Sequence, residues 1–425
     1  MAPRLLFATP DGKVLEHPRL EAVVRSGDDV LAASEQPIAL PPHGKLVHLP
    51  GRLPVGLDPE SGRVEVLDEV KLGRKRVRPD AVAAVLPPGY TRTFLPAEIR
   101  VEGPALPQWA YTAVGWEEPG PVVWALRTDR RTHWDPDRFT TPELPRLVEE
   151  RLAELPGNPV VEQLRRCALE YRCFTAQNLF YRRDEAGLPS SSTCNARCLG
   201  CISERRSGGP ESSMQRLEAP PSAEALAQAG TRHLEAARGR VMVSFGQGCE
   251  GEPLTRAPVL ADAIARIRAR TARGSININT NASLTEGLER MLAAGLDAVR
   301  VSLNSADPKL YAAYYSPVGY GLGEVRRSLA AARAAGAYVA LNLLILPGVT
   351  DRLGEVEKLV ELIVEHRVQQ VQARSLCIDA EQYLAVAREV GAGGEPVGVR
   401  NMLQLFQREA PWLVVGNFAR AKGER

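Results

Sequence analysis

From about residue 184 to 375 the chain alternates short apolar runs with stretches of helical period, and this rhythm restricts its fold more than any other feature. Candidate strands are RVMVSFG (240–246), SININTN (275–281), DAVRVSLN (297–304), AYVALNLLIL (337–346) and VQQVQARS (368–375). Between them lie SAEALAQAGTRHLEAA, APVLADAIARIRARTA, TEGLERMLAAG, GEVRRSLAAARAAG and DRLGEVEKLVELIVEH, whose apolar residues recur at helical spacing. One more strand is expected near AGLPSS (186–191). Such alternation builds a parallel sheet covered by helices, here with about six strand–helix units.

The faces of these strands decide between kinds of parallel sheet. Side chains alternate across a strand, so Asn277, Asn279 and Asn281 share one face while Ile276 and Ile278 share the other. Arg300, Ser302 and Asn304 group in the same way, as do Gln370, Gln372 and Arg374. A doubly wound sheet wants apolar residues on both faces of its central strands. A closed eight-stranded barrel fills its lumen with branched apolar groups. Polar side chains offered by three strands to one side are costly to bury without partners. They point to a partial (β/α)6 barrel whose lumen holds a polar ligand and water.

Residues 1–140 read differently. They are rich in proline and glycine, with β-like runs such as KLVHLP, GRVEVLDEV and PVVWALRT between turn signals. A β-rich N-terminal domain is expected there, followed by a helical connector over 141–183. In that connector Thr141-Pro142 and Asn158-Pro159 each read as an N-cap followed by proline at the first helical position. Val161, Leu164, Cys167, Tyr171 and Phe174 form one apolar stripe on the second helix, with Cys167 a buried thiol. The barrel is expected over 184–380 and a C-terminal extension over 381–425. The class is α/β.

A net charge of +2 makes no global electrostatic case for nucleic acid or an anionic membrane. The one basic run, KLGRKRVRPD (71–80), reads as a solvated turn between strands. No stretch approaches the length of a membrane span, and the first residues break at Pro10 without a signal-peptide core, so a cytoplasmic location is expected. Seven cysteines, an odd number and unevenly spread, do not suit a secreted disulfide framework. In a reducing compartment they read as metal ligands or catalytic groups.

Three of them, Cys194, Cys198 and Cys201, stand at C-x3-C-x2-C in SSSTCNARCLGCIS (190–203). They can sit on one tight loop around a common centre. A structural zinc ion wants four protein ligands, and an iron–sulfur cube commonly takes four cysteines. With three nearby, one metal position is left for a reactant.

This loop, placed after the first strand of a partial barrel, resembles the radical S-adenosylmethionine (SAM) superfamily, in a bacterial group whose substrate is unassigned. The resemblance covers roughly 185–380. It implies that Cys194, Cys198 and Cys201 hold a [4Fe–4S] cluster whose fourth iron chelates SAM. Reductive cleavage of SAM would then yield a radical that takes hydrogen from a substrate. Gly251-Glu252-Pro253, in GQGCEGEPL after the second strand, resembles the family's Gly-Gly-Glu-Pro and implies a seat for the SAM ammonium. Ser302 and Asn304 resemble the polar pair that meets ribose and carboxylate, with Arg300 and Asn279 beside them. LPGVTD resembles the adenine-side turn and points to Gly348. An electron donor of flavodoxin or ferredoxin type is implied as a partner.

The chain departs from the family in two places. Gly200 precedes the third cysteine where an aromatic residue is common, and Glu250 replaces the first glycine of Gly-Gly-Glu-Pro. The spacer ISERRSGGPESSMQRLEAPPS (202–222) is longer than usual and is expected to be a mobile loop. Cys249, Gln370, Gln372 and Arg374 are candidates for the substrate side, although Cys249 also reads as a small residue packed beneath the turn. Two other functions compete. Cys249 or Cys173 could complete a zinc site in a non-catalytic binding module. Gly246, Gly248 and Gly251 also spell G-x-G-x-x-G, the mark of a nicotinamide-dependent oxidoreductase, but Pro253 interrupts the turn and no acid ends the next strand.

Overall fold

The structure is a computed structural model and describes residues 2–204, 212–421 and 423. The middle of the expected mobile spacer, 205–211, lies outside the described residues. The chain divides into two compact units, each built from three segments. One comprises Met1–Arg130, Leu344–Glu357 and Ala373–Leu405; the other comprises Arg131–Leu343, Lys358–Gln372 and Phe406–Arg425.

In the first unit the Pro- and Gly-punctuated runs form an eleven-stranded antiparallel sheet, so the region is β-rich as expected. Leu6, Ala8, Val82, Ala84, Val114, Val123 and Ala125 form one of its cores. The basic run falls on an exposed two-stranded hairpin, Val70–Leu72 with Lys75–Val77. Buried charges fasten the later segments of this unit to the first. Arg52, 1% exposed, meets Asp379 at 2.6 Å, and its other nitrogen reaches Glu98 at 3.3 Å. Arg92, fully buried, donates to the carbonyls of Tyr111 and Leu376. Glu381 accepts from Arg25 at 2.5 Å.

The second unit carries most of a seven-stranded sheet whose spatial order follows the chain. Its strands are β1 (Arg183–Gly187), β2 (Arg238–Phe245), β3 (Ser275–Thr280), β4 (Ala298–Leu303), β5 (Tyr338–Ile345), β6 (Gln370–Ser375) and β7 (Val414–Gly416). The paired neighbours run parallel. Among the described residues β1 and β7 are the two ends of the order, so the barrel is partial. The first strand begins earlier than AGLPSS suggested, with Leu188 N still donating to Ser244 O beyond its end. The seventh strand comes from WLVVGNF near the C-terminus, whose three residues are too short to betray a strand by pattern.

Helices connect these strands where the sequence periodicity placed them. They include α4 (Ala223–Ala236), α5 (Ala257–Arg270), α6 (Thr285–Ala293), α8 (Leu322–Ala334) and α9 (Leu353–Glu365). A short helix, α7 (Pro308–Tyr315), follows β4. Three helices precede β1: α1 (Leu144–Glu154), α2 (Pro159–Leu169) and α3 (Phe174–Tyr181). Asn158 caps α2 as expected, accepting from Val160 N and Val161 N. Thr141 does not cap α1, which opens at Leu144; its hydroxyl pairs with the Tyr181 hydroxyl instead. The stripe read across Cys167 and Phe174 is broken by a turn at Arg172, whose φ of 51° is left-handed, so Phe174 opens a separate helix.

Candidate functional site

The cysteine loop runs from the end of β1 and is pinned along both flanks. On one side Arg197 N donates to Tyr315 O and Leu199 N to Tyr314 O, at 2.9 and 2.8 Å, and Ala196 bridges Pro317. These contacts seat the loop on the end of α7. On the other side Gly251 N donates to Ser191 O at 2.7 Å and Glu252 N to Thr193 O at 2.8 Å. Asn195 adds side-chain bonds to Ser283 and Asn281, both 2.9 Å.

Gly251 is required by this second flank. A Cβ there would lie 1.9 Å from Thr193 O, so any side chain would push the Gly-Glu-Pro turn off the cysteine loop. The close approach that its glycine permits is thus between two protein segments.

Glu250, the departure from Gly-Gly-Glu-Pro, is fully enclosed and accepts five hydrogen bonds. One oxygen takes Ser190 N, Ser190 Oγ and Ser191 N at 2.7–2.9 Å; the other takes Gly246 N and Gln247 N at 2.7 Å. Burial raises its pKa, and the donors on Gln247, Ser190 and Ser191 oppose that rise. Five donors and no other acceptor define a carboxylate. It joins the end of β1 to the turn after β2, so the motif's missing glycine is replaced by a clasp.

Glu252 also faces donors. Its oxygens accept from Leu254 N at 3.0 Å, Asn281 N at 2.8 Å and the Thr280 hydroxyl. Burial pushes its pKa up to about 7 against these bonds. The side chain caps the 3₁₀ turn Pro253–Arg256, after which α5 opens at Ala257. A dinucleotide fingerprint would open its helix directly on the motif, so the local chain path is not that of a nicotinamide site.

Cys194, Cys198 and Cys201 are half-buried and none is in a disulfide. Burial raises the Cys194 thiol above its usual range. Arg216, which the sequence reading did not single out, brings its guanidinium to 3.9 Å from Cys201 Sγ and pairs with Glu204 at 2.9 Å. Cys249 is buried and turned to α2, where its thiol meets Cys167 and Gln163.

The polar strand faces come together as the register dictates. Ser244 stands beside Asn277, Asn279 beside Arg300, and Ser302 beside Asn342. Glu185 on β1, also unforeseen, anchors the row. It accepts from Arg300 at 3.1 Å and from the Ser244 hydroxyl, and Asn277 donates to Ser244 at 3.0 Å. Asn279 donates to the carbonyls of Phe245 and Gly246. Asn304 is buried and donates to Leu310 O, which fixes the turn into α7. Gln370 and Gln372 are buried on β6, and Gln370 donates to Phe418 O at 2.8 Å.

Gly348 and Arg374 fall in the first unit. Gly348 has φ +81°, and a Cβ on it would lie 1.8 Å from Gly27 N. Gly27 N in turn donates to Pro347 O at 3.0 Å. Gly348 N donates to Asp351, whose pKa burial pushes up to about 6.

Residues 188–363 match the family model for the radical SAM superfamily. A stretch of 113 residues is 34% identical to a probable GTP 3′,8-cyclase from Pyrobaculum aerophilum, covering 26% of this chain and 36% of that protein. The chain thus spans about a third of the length of this curated relative. Among solved structures, Streptococcus suis SuiB bound to S-adenosylmethionine aligns with TM-score 0.37 and 16% identity, over 54% of this chain and 49% of its own. The FeFe-hydrogenase maturase HydG from Carboxydothermus hydrogenoformans aligns with TM-score 0.34 and 15% identity, over 64% and 70%. Among the described residues no helix is long and apolar enough to cross a membrane.

Proposed function

We propose, from the radical SAM domain that this enzyme carries at residues 188–363, that Cys194, Cys198 and Cys201 are the iron ligands of its [4Fe–4S] cluster and that it cleaves SAM reductively. The observation that carries the reading is the loop itself: three cysteines outside any disulfide at C-x3-C-x2-C, on a backbone held from one flank by α7 and from the other by the Gly-Glu-Pro turn.

Held by Cys194, Cys198 and Cys201 and reduced by an external donor, such a cluster would supply one electron and an iron site for the amino and carboxylate groups of SAM, so that cleavage would give methionine and a 5′-deoxyadenosyl radical able to take hydrogen from a substrate. The chain's residues set the stage for this. The turn at Gly251, Glu252 and Pro253, locked to the cysteine loop, presents backbone groups to the SAM ammonium. Asn279, Arg300, Ser302 and Asn304, on or just past the strands of the second unit, are the chain's proposed contacts to SAM. Within the second unit, the hydrogen-bonded row of Glu185, Arg300, Ser244 and Asn277, together with Gln370 and Gln372, offers a polar substrate both donors and acceptors. Radical SAM enzymes need a reductant, and a flavodoxin or ferredoxin is the donor proposed.

The test is direct. Anaerobically reconstituted protein should hold about four irons per chain, as a cube requires, and should form 5′-deoxyadenosine from SAM under dithionite. Alanine at Cys194, Cys198 or Cys201 should abolish that product. Full product formation by any of the three variants, or one zinc per chain in place of iron, would sink the reading.

A further inference from the structure

The polar face of the sheet extends beyond the Glu185–Arg300 row to the starts of β1 and β2, the strand ends away from the cysteine loop. There Asp184, Glu185, Arg240 and Met242 line a cavity of about 220 Å³, together with His133 and Trp134. All of them belong to the second unit. Arg240, Met242 and Ser244 alternate onto one face of β2, and Met242 stands beside Glu185 in register. Trp134 is fixed by stacking on Phe418, with ring centroids 5.6 Å apart and planes 17° from parallel. The Phe418 carbonyl in turn accepts from Gln370 and Arg131, both at 2.8 Å.

Asp184 is the anomaly at this place. Its φ of 50° is left-handed, and the register of β1 against β2 shifts between Arg183 and Glu185. A bulge of this kind re-aims a side chain. The Asp184 carbonyl is held by His233 at 3.1 Å. Its carboxylate, by contrast, accepts no hydrogen bond among the described residues, although Oδ2 is enclosed. Glu185, 8% exposed, accepts from Arg300 and Ser244 through Oε1, while Oε2 takes no donor among the described residues. Arg240 makes no ion pair among them either. Strained backbone and an unanswered carboxylate at one cavity mark a binding group.

The charges around the cavity decide what it takes. Glu185 is already neutralised by Arg300 at 3.1 Å. A cation alone would answer Asp184 but also face Arg240. An anion alone would answer Arg240 but face Asp184. A molecule that carries an ammonium and a carboxylate on neighbouring atoms meets both, with charge-assisted hydrogen bonds at each end. Trp134 and Met242 offer apolar surface to the carbon between them. The volume is below the roughly 300–1,000 Å³ of a pocket for a whole drug-sized ligand, which suits a head group.

We propose that this cavity seats an α-amino-acid head group, its ammonium on Asp184 and on Oε2 of Glu185 and its carboxylate on Arg240. As a binding site it stands by itself. As the seat of the substrate it rests on the radical SAM reading above, with the rest of the substrate running along the polar row towards the Gly-Glu-Pro turn.

Three probes test this in the full-length reconstituted protein: L-alanine, L-alaninamide and N-acetyl-L-alanine, followed by saturation-transfer NMR of the methyl protons. L-Alanine should bind. Each derivative lacks one of the two charges and should bind about tenfold or more weakly, the loss expected when one charge-assisted bond is removed. Asp184→Asn and Arg240→Gln should each weaken L-alanine by a similar factor. Arg238→Gln, on the exposed start of β2 and outside the cavity, should not. No detectable L-alanine binding, equal binding of L-alanine and either derivative, or unchanged binding in both cavity variants would overturn the proposal. Iron content and 5′-deoxyadenosine formation are read on the same preparation. Iron without alanine binding ends this inference alone, and alanine binding without iron ends the cluster reading alone.

Discussion

One carboxylate carries an unusual share of the site. Glu250 occupies a position where the related motif has glycine, and its five donors come from two chain segments that no other side chain joins so densely. Glutamine there would set its amide nitrogen against either the Ser190 and Ser191 donors or the Gly246 and Gln247 donors. At about 1–3 kcal/mol for each buried group left unpaired, Glu250→Gln should cost on the order of 3–5 kcal/mol in urea unfolding. It should also lower iron retention, because the cysteine loop starts at Ser191. Equal midpoints for variant and wild type would contradict the clasp. Little of this was legible in the sequence. The three cysteines stood out as one loop, because their spacing is that of a ligand motif. So did the Gly-Glu-Pro turn. Glu250 read only as a departure, since a motif records residue types and not the backbone amides that converge on one of them. Glu185 and Arg216 were invisible for a related reason: their partners, Arg300 and the Cys201 thiol, stand 115 and 15 residues away.

Periodicity gave the barrel helices nearly to the residue, because each buries one face on a sheet. It gave less where an element is short. β7 has three residues, and α7 hides its pattern in alternating alanines and tyrosines. The strand faces were legible as polar stripes, but not the pairing of Glu185 with Arg300 that makes such a stripe affordable inside the barrel. A second test belongs to α4. His233 on its inner face is wholly buried, with Nε2 3.1 Å from Asp184 O at the start of β1. That contact makes Nε2–H the donor, and Nδ1 has no partner among the described residues. Burial therefore depresses the imidazole to about 4. The folded pKa lies below the unfolded value near 6.5, so its contribution to stability is complete above pH 6.5 and is lost as pH falls towards 4. The loss should reach about 3 kcal/mol. Urea midpoints measured between pH 7 and 4 should fall accordingly, and His233→Gln should flatten that dependence. A parallel slope in the variant would assign the effect elsewhere.

The molecule as a whole is less separable than its composition suggests. A change near residue 140 was legible as the end of a β-rich region. The return of Leu344–Glu357 and Ala373–Leu405 to that first unit was not, since no local pattern announces which distant strand a segment will join. The joints are buried charges. Removing residues 1–140 would take Arg52 from Asp379, Arg25 from Glu381 and Arg92 from Leu376. Arg52→Ala alone, which strands a buried Asp379 carboxylate, should cost about 3–5 kcal/mol. Arg52→Met combined with Asp379→Leu should cost less than the single change, and the reverse order would refute the pairing. A full truncation should yield aggregated protein, visible as material in the void volume of a sizing column, rather than a tidy catalytic fragment.

The twofold return of the chain to its first unit also sets a timetable for its birth on the ribosome. Residues 1–130 emerge first, but the unit they begin is closed only by residue 405, a further 275 codons away (405 − 130). At about 5–20 residues per second, the first unit waits roughly 14–55 s for its last segment, with Arg25 and Arg52 out of the tunnel before Glu381 and Asp379 are translated.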